Sequence, residues 1–393
     1  MKILVLTSSY PCAPGDWRGG FVRDLSRALV RQGLEVEVAV PRPEGEAGDV
    51  PPPPAEDPFE PAVRRLPSIL PGRARGFHGA GIEENLRRDP GAALAIPPFL
   101  LAYAVEASIR GLFCDAIVAH WLLPMGAVGA TLSRYAGRPL GVVAHSGPPA
   151  VARVWPLRGV VRGVVATARS VACVSESVRG QVARACAPGD AGRLAVLPLG
   201  VDPRAATANP LGPERPLRLL FVGRLVAMKG VDVLIRAVAR VPGVLLDVAG
   251  DGPEAGRLRA LAADLDAPVR FLGEVPDAAA RAAMQAADLL AVPSRPGLLG
   301  REEGLPRVVL EAWSCGLPVL ATATGGMTGA LARHGGGLLC VPGDDRDLVR
   351  ALRLCREDPS LLARLRIQAR AAGAAFSWDV LGPRWADWVR ALA

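Results

Sequence analysis

Short runs of apolar residues alternate along the whole chain with longer stretches in which apolar positions recur at helical spacing. This alternation is typical of βαβ units, in which helices join buried parallel strands. The first unit is the clearest, with a strand at Ile3–Leu6, a loop at 8–20 rich in glycine and proline, a helix at Phe21–Gln32 ended by Gly33, and a strand at Glu35–Val40. The chain therefore begins as an α/β protein.

The same pattern predicts two series of buried strands. The first series continues at 116–119, 140–144, 170–174 and 194–198. The second is predicted at 218–222, 244–249, 269–272, 289–292, 319–321 and 337–341. We therefore expect two doubly wound, Rossmann-like domains, each with a ligand crevice at the carboxyl ends of its strands.

The length of the chain agrees with two domains, because 393 residues exceed what one hydrophobic core usually supports. The predicted parts are an N-terminal domain over 1–203, a linker rich in proline, alanine and glycine over 204–216, a C-terminal domain over 217–376 and a last helix over 377–393.

Composition narrows the classes of protein that remain. Seven scattered cysteines without C-x-x-C spacing predict neither a disulfide framework nor a zinc site, and reduced thiols in the cytoplasm are expected. No stretch approaches the roughly 20 apolar residues of a membrane span, and the start at Met1 predicts a buried strand rather than a signal peptide. The formal charge of +8 fits nucleic acid, acidic lipid or small anionic ligands and does not choose among them.

Residues 43–92 break the alternation and are interpreted as a long surface excursion of the N-terminal domain. Its six arginines are Arg64, Arg65, Arg73, Arg75, Arg87 and Arg88, interleaved with apolar residues. Anionic lipid headgroups attract such segments, so one hypothesis is a peripheral contact with the inner face of the cell membrane. The alternative is a solvated loop without a partner.

An anion site is predicted where the second series of strands begins. Gly223, Arg224 and Leu225 follow a strand, and Lys229-Gly230 stands where a helix starts. A guanidinium, an ammonium group and a helix N-terminus all favour phosphate. Lys229 is conspicuous because the chain has only one other lysine, Lys2. On spacing alone, a pair of surface cations remains the alternative.

A second motif places two carboxylates on either side of a predicted helix start. Glu303 precedes this helix and Glu311 lies within it, roughly 12 Å away at about 1.5 Å per residue. The amides of the first turn could face a diphosphate, and Pro306, which lacks an amide, is tolerated there. Two solvated helix charges are the alternative.

With both motifs in order, the chain resembles family 4 of the retaining glycosyltransferases. The resemblance rests on Gly223-Arg224-Leu225, Lys229-Gly230, Glu303-x7-Glu311 and the helix end before Cys315-Gly316-Leu317-Pro318, and it extends over nearly the whole chain apart from 43–92. It implies the GT-B architecture, in which two Rossmann-like domains face each other across a cleft. It also implies transfer of a sugar from a UDP- or GDP-sugar to a glycan or a lipid-linked acceptor, as in polysaccharide biosynthesis.

The resemblance assigns roles to matching residues. It implies that Glu303 holds the donor sugar and that His145 approaches this sugar from the N-terminal domain. The implied substrate-binding positions are Gly19, Gly20, Arg224, Lys229, Val275, Leu305, Pro306, Arg307 and Glu311. It also implies that the last helix packs back on the N-terminal domain.

Two observations qualify these assignments. His120 stands at a neighbouring strand end and competes with His145, since either histidine could be a structural group. The family often has glutamate where this chain has Gly329, so the sugar contact usually assigned there is in doubt.

No metal or cofactor is expected, because the cations and the helix N-terminus can stabilise a leaving diphosphate. Asp264-Leu265-Asp266 and Asp345-Arg346-Asp347 carry the Asp-x-Asp metal signature, but helix capping is the expected role. Three rivals remain. They are a nucleotide-sugar epimerase or hydrolase, a nicotinamide-dependent oxidoreductase, which lacks G-x-G-x-x-G after the first strand, and a nucleic-acid-binding protein supported by charge alone. We expect no nucleic-acid partner.

Overall fold

The computed structural model describes residues 1–12, 16, 18–42, 57–66, 91, 96–148, 157–204, 215–297 and 304–393. The chain divides into two compact units. Unit 1 comprises Met1–Leu199 together with Leu381–Ala393, and unit 2 comprises Gly200–Val380.

Unit 1 is built on a sheet of seven strands in the order β3-β2-β1-β4-β5-β6-β7, and all of its pairings are parallel. The strands are β1 Lys2–Leu6, β2 Glu35–Pro41, β3 Ala62–Leu66, β4 Ala116–His120, β5 Leu140–Ala144, β6 Ser170–Cys173 and β7 Leu194–Val196. The helices are α1 Gly20–Arg31, α2 Ile96–Gly111, α3 Ala127–Ala136, α4 Leu157–Thr167 and α5 Glu176–Ala183, with short helical turns at Leu122–Gly126 and Pro188–Arg193.

Unit 2 repeats this plan with a six-stranded parallel sheet in the order β10-β9-β8-β11-β12-β13. The strands are β8 Leu217–Val222, β9 Val244–Ala249, β10 Val269–Gly273, β11 Leu289–Val292, β12 Val319–Thr322 and β13 Gly337–Cys340. The helices are α6 Val231–Val238, α7 Ala255–Asp264, α8 Asp277–Ala286, α9 Arg307–Ser314, α10 Gly325–His334, α11 Asp345–Glu357 and α12 Pro359–Ala375. Helix α13, Trp378–Arg390, begins in unit 2 and ends in unit 1.

In both sheets the order in which the strands are added reverses at one place. In unit 1 the chain runs outward from β1 to β3 and then returns to β4 on the other side of β1, and in unit 2 it does the same around β8. Ligands of such folds bind outside the carboxyl ends of the strands at this switch point. The predicted α/β fold with two Rossmann-like domains is therefore confirmed, and each unit has one edge where a site is expected.

Predicted and observed strands agree to within about two residues, because each predicted run is rich in apolar residues. Strand β3 was missed. Its sequence, Ala-Val-Arg-Arg-Leu, carries two arginines, and only Leu66 of the five residues is fully buried. It pairs with β2 at the edge of the sheet, within the stretch interpreted as an excursion. No helix among the described residues is long and apolar enough to cross a bilayer.

The end of the chain is part of the core of unit 1. The indole of Trp385 donates a hydrogen bond to the carbonyl oxygen of Pro198 at 2.8 Å, and that of Trp388 donates to the hydroxyl of Ser170 at 2.9 Å. A Cβ atom on Gly141 would lie 2.6 Å from Trp388 and Leu392, so this strand position needs glycine for the helix to lie against it.

A buried carboxylate ties three segments of unit 2 together at the start of β11. Asp288, 1% exposed, accepts hydrogen bonds from both terminal nitrogens of Arg215, at 2.9 and 2.5 Å, and from Arg366 at 2.9 Å. The backbone nitrogen of Arg218 donates to the same carboxylate at 2.9 Å. The site thus joins the entry to β8, the strand β11 and the helix α12.

We expect Asp288→Ala to lower the free energy of unfolding by about 3–5 kcal/mol, because it removes a buried carboxylate and leaves two partly buried arginines without their partner. Asp247→Ala is the matched control, since Asp247 pairs with Arg270 at 2.7 Å on the surface, where such a pair contributes about 0–1 kcal/mol. Urea denaturation of both variants measures the difference. Equal losses in the two variants would contradict a structural role for the buried cluster.

Candidate functional site

The glycine pair of unit 1 lies where α1 begins, at the carboxyl edge of the sheet. Gly19 has a φ of 66°, and a Cβ atom there would lie 2.4 Å from the carbonyl oxygen of Ser9. Only glycine fits this close approach of the loop after β1 to the helix start. Gly20 is buried as the first residue of α1, and the ring of Phe21, the next residue, packs against that of His145.

His120 and His145, the two competing candidates, are hydrogen-bonded to each other. Nδ1 of His120 lies 2.8 Å from Nε2 of His145, and the rings stack with centroids 5.0 Å apart and planes 16° apart. His120 ends β4 and His145 directly follows the adjacent strand β5, so the sheet register brings them together. The sequence predicted both positions but not the bond between them.

Both histidines of the pair are neutral in the folded protein at pH 7. Burial lowers the pKa of His120 to about 3. The pKa of His145 is also lowered well below its ordinary value, first by burial and second by His120. A hydrogen bond between two neutral imidazoles needs one N–H and one lone pair, so the tautomer of each ring determines the tautomer of the other. His145 can therefore offer a neutral hydrogen-bonding group to a ligand at pH 7.

Two aromatic residues that sequence reasoning missed surround His145. Its ring lies 4.6 Å from that of Phe21 and 5.2 Å from that of Trp121. Trp121 has a φ of 66°, which is rare for a residue with a bulky side chain, and strained backbone conformations of this kind cluster at functional sites. The only signal in the sequence was the position of Trp121 directly after His120 at a strand end.

In unit 2, Arg224 and Lys229 lie on the loop that follows β8, as predicted for an anion site. Lys229 ends a helical turn at Ala227–Lys229, and Gly230, with a φ of 66°, leads into α6. A Cβ atom on Gly230 would lie 2.0 Å from the carbonyl oxygen of Pro293, so the turn rests directly on the backbone after β11. Lys229 thus stands at the positive end of α6, at the switch point of the sheet.

Arg295, which the sequence did not predict as a site residue, holds this turn in place through hydrogen bonds. Its Nε donates to the carbonyl oxygen of Ala227 and its backbone nitrogen to that of Met228, both at 2.8 Å. Its guanidinium also pairs with Asp232 in the first turn of α6 at 3.3 Å. The segment after β11 therefore fixes the position of Lys229 through three contacts.

The second predicted motif lies at the N-terminus of α9. Leu305 is partly exposed, Pro306 caps the helix, and Arg307 is its first residue. A Cβ atom on Gly326 would lie 2.8 Å from the backbone of Gly304 and Leu305, so α10 supports this loop by close contact. Glu303, the predicted sugar-binding carboxylate, lies outside the described residues.

Glu311 has two cationic partners. Its carboxylate lies 2.8 Å from Nε of Arg307, one turn earlier in α9, and 3.5 Å from Arg204 at the start of the linker. Glu311 is mostly buried, with a side chain 13% exposed. Arg204 carried no signal in the sequence, because its contact is purely tertiary.

The remaining predicted positions of unit 2 are also at the carboxyl edge. Val275 follows β10 and is partly exposed, ahead of α8. Gly329 is exposed within α10, and a Cβ atom there would meet nothing within 4 Å. The chain therefore has room for the family's glutamate at this position but does not carry it.

The aspartates of both Asp-x-Asp strings lie at or directly after a helix end in unit 2. Asp345 and Asp347 belong to the first turn of α11, which Asp344 caps, and Asp347 accepts a hydrogen bond from the backbone nitrogen of Val341 at 2.8 Å. Asp264 ends α7, and Asp266 follows it with a φ of 47°. In the described part of the chain, no three His, Cys, Asp or Glu side chains group as metal ligands.

Of the six arginines in the 43–92 stretch, two are described. Arg64 is exposed and lies 3.6 Å from Glu37, whereas Arg65 points inward and donates to the carbonyl oxygen of Pro11 at 2.8 Å. Arg73, Arg75, Arg87 and Arg88 lie outside the described residues. Arg65 is therefore engaged within unit 1 and is not available to a membrane.

Two family models match this chain. The model "Glycosyltransferase Family 4" matches residues 19–205, and the model "Glycosyl transferases group 1" matches residues 205–372. Together they include every candidate residue described above.

Relatives and solved structures agree with these matches. A D-inositol 3-phosphate glycosyltransferase of Xylanimonas cellulosilytica is 30% identical over 91% of this chain and 88% of its own length. A GDP-mannose-dependent monoacylated alpha-(1-6)-phosphatidylinositol monomannoside mannosyltransferase of Corynebacterium glutamicum is 36% identical, over 41% of this chain and 44% of its own length. The chain thus aligns with less than half of that second protein.

The fold is shared with the crystal structure of Anabaena Alr3699/HepE in complex with UDP. The TM-score is 0.76 at 23% identity, and the alignment covers 100% of both chains. This likeness supports the GT-B architecture expected from the sequence.

We expect the histidine pair to make unit 1 less stable in mild acid. The unfolded chain takes up a proton at His120 below about pH 6.5, whereas the folded chain does so only near pH 3, so stability is fully present above pH 6.5 and is lost as the pH falls. Between pH 7.5 and 5 this amounts to about 2 kcal/mol. Urea unfolding should show that His120→Asn, which does not titrate, loses about that much less than the wild type. Equal losses would mean that the pair is not held neutral.

Proposed function

Since the chain belongs to the glycosyl transferases group 1 family, we propose that it transfers a sugar from a nucleotide diphosphate sugar to an acceptor. The observation that carries this proposal is the turn at Ala227–Lys229, where Lys229 and the positive end of α6 meet at the switch point of the unit 2 sheet. Such a turn suits the diphosphate of the donor.

The donor is a UDP- or GDP-sugar. One neighbour of known structure is described in complex with UDP, and one relative is named as GDP-mannose-dependent, so both bases are represented among similar proteins. Arg224 and Lys229 would neutralise the diphosphate, and the first turn of α9, from Pro306 onward, would add backbone amides. Val275 lies on the loop after β10, where it suits contact with the base, and Glu311 suits the ribose.

The acceptor is a glycan or a lipid-linked sugar. The Corynebacterium relative is named for a phosphatidylinositol monomannoside and the Xylanimonas relative for D-inositol 3-phosphate, and these names support hydroxyl groups of polyols and glycolipids as the acceptors proposed for this chain. Polysaccharide or glycolipid biosynthesis is the corresponding process. Peripheral contact with an anionic membrane remains a hypothesis, and no nucleic-acid partner is expected.

We propose that transfer retains the configuration at the sugar carbon. In this route the leaving β-phosphate takes the acceptor proton on the same face, so no enzyme carboxylate has to attack. The charges favour this route, because Glu311 is paired with Arg204 and Arg307 and His145 is neutral. His145 then acts as a hydrogen-bonding partner of the sugar, and Glu303 as the carboxylate that holds its hydroxyl groups.

The function is tested by supplying UDP- and GDP-sugars with and without a phosphoinositol or glycan acceptor and analysing the products. A glycosyltransferase forms product only with the acceptor present. Rapid hydrolysis or isomerisation of the donor alone would instead indicate an epimerase or hydrolase on the same fold. Calorimetry with UDP and GDP identifies the base before any acceptor is known.

We expect Lys229→Ala to weaken binding of the nucleoside diphosphate by about 1.5–3 kcal/mol, the contribution of a charge-assisted hydrogen bond. Lys2→Ala is the matched control, because Lys2 is the only other lysine and pairs with Glu35 and Glu37 in unit 1. Isothermal titration calorimetry measures both variants. Wild-type affinity in Lys229→Ala would remove this residue from the site.

We expect transfer to continue at an undiminished rate in excess EDTA, because protein cations and helix termini do the work that Mg²⁺ does in metal-dependent enzymes. The rate is measured with the best donor, before and after dialysis against the chelator. Loss of turnover that Mg²⁺ or Mn²⁺ restores would show that the cations of the protein are not sufficient.

A further inference from the structure

Arg204 contacts two helices of unit 2 at once. Its Nη2 lies 3.5 Å from Oε1 of Glu311 in α9 and 3.9 Å from a carboxylate oxygen of Asp277, the first residue of α8. Its Nη1 lies 3.9 Å from the sulfur of Met284, two turns further along α8. The guanidinium group therefore joins the helix that follows the proposed base-contacting loop to the helix that carries the proposed ribose carboxylate.

The backbone before Arg204 is itself attached to α9. Three residues earlier, the backbone nitrogen of Val201 donates to the carbonyl oxygen of Phe376 at 2.9 Å. The ring of Phe376 lies 5.8 Å from that of Trp313, which is part of α9. The segment that carries Arg204 is thus tied to the same helix as Glu311, so the guanidinium reaches this carboxylate from a supported position.

The two cationic partners of Glu311 differ in burial. The side chain of Arg204 is 12% exposed, whereas that of Arg307 is 30% exposed. Arg307 is the first residue of α9, where the positive end of the helix favours an anion. A phosphate at this helix start would attract Arg307, whereas Arg204 lies between two carboxylates and can stay with Glu311 when the donor is bound.

Both cations approach the same oxygen of Glu311. Nε of Arg307 lies 2.8 Å from Oε1, and Nη2 of Arg204 lies 3.5 Å from this same atom. Oε2 is therefore the oxygen farther from both guanidinium groups. Since an ionised carboxylate accepts hydrogen bonds at each of its oxygens, Oε2 is the atom that suits a ribose hydroxyl.

We propose that Arg204 is a positioning residue for the nucleoside of the donor. It holds Oε1 of Glu311, so that Oε2 is presented to the ribose hydroxyl groups. Through Asp277 it also keeps α8, and the loop with Val275 before it, in place relative to α9. This role rests on the proposed function, in which Glu311 binds the ribose and Val275 contacts the base.

The test measures how strongly the protein distinguishes a nucleoside diphosphate from an analogue without ribose hydroxyl groups. Isothermal titration calorimetry gives the Kd of UDP, of GDP and of their dideoxy analogues for the wild type and for Arg204→Ala. Arg281→Ala is the matched control, because Arg281 pairs with the same Asp277 at 2.7 Å, and its loss leaves the pair of Arg204 with Glu311 intact. Circular dichroism and the melting temperature confirm folding, and Arg204→Gln replaces Arg204→Ala if the shorter side chain unfolds the protein.

We expect the wild type and Arg281→Ala to bind the natural nucleotide at least about tenfold more tightly than its dideoxy analogue, and Arg204→Ala to reduce this preference to about threefold or less. Arg204→Lys, which keeps the charge, should restore part of the preference. In a Glu311→Gln background, Arg204→Ala should have no further effect on the preference, because the carboxylate that it positions is gone.

An equal preference in the wild type and in Arg204→Ala would overturn the proposal, even if both nucleotides bound more weakly to the variant, because Arg204 would then have only a structural role. So would an undiminished effect of Arg204→Ala in the Glu311→Gln background. A wild type that binds neither UDP nor GDP would overturn the proposed function and the role of Arg204 with it, and the wild-type titration alone identifies that outcome.

Discussion

Backbone-to-backbone contact at the carboxyl edge of each sheet is the constraint on which the candidate site depends. In unit 2 a Cβ atom on Gly230 would lie 2.0 Å from the carbonyl oxygen of Pro293, and one on Gly250 would lie 1.9 Å from that of Gly223. In unit 1 Gly19 meets Ser9 in the same way. The two contacts of unit 2 bring a loop that follows one strand against the loop of a neighbouring strand, whereas the contact of unit 1 lies within the loop after β1. A side chain at any of these positions would push the backbone segments apart. The glycines thus set where Lys229 and the histidine pair can be.

This constraint explains why so much of the fold could be predicted. A parallel strand is buried on both faces, so it appears in the sequence as an unbroken apolar run, and a loop that must pass close to another contains glycine. Strand β5, for example, was predicted with the observed bounds, Leu140–Ala144. Strand β3 was missed because only one of its five residues is buried and two are arginines, Arg64 and Arg65, whereas the other edge strands, β7, β10 and β13, are richer in apolar residues and were predicted. The prediction worked where burial dictated the residue type.

The candidate site was predictable only in part, because burial dictates the residues of the strands but not the contacts of polar side chains. His120, His145 and Lys229 stand at strand or helix ends, so their positions follow from the strands. The residues that contact them cannot be predicted in this way. The bond between the histidines depends on the register of β4 and β5, and Arg204 reaches Glu311 across more than a hundred residues of chain. Arg295 likewise reaches the turn before α6 only because the fold brings the segment after β11 next to that turn. Side chains that position others leave no local pattern in the sequence.

The candidate site residues of the two units differ in charge because they differ in burial. In unit 2 the candidate donor site keeps its cations near the surface, where Lys229 is partly exposed and a helix terminus adds to its field. In unit 1 burial removes charge instead, since the histidine pair is enclosed by Phe21 and Trp121 and stays neutral. A phosphate therefore finds its complement in unit 2. A neutral sugar hydroxyl, which needs a hydrogen-bonding partner but no countercharge, is better matched by His145 in unit 1.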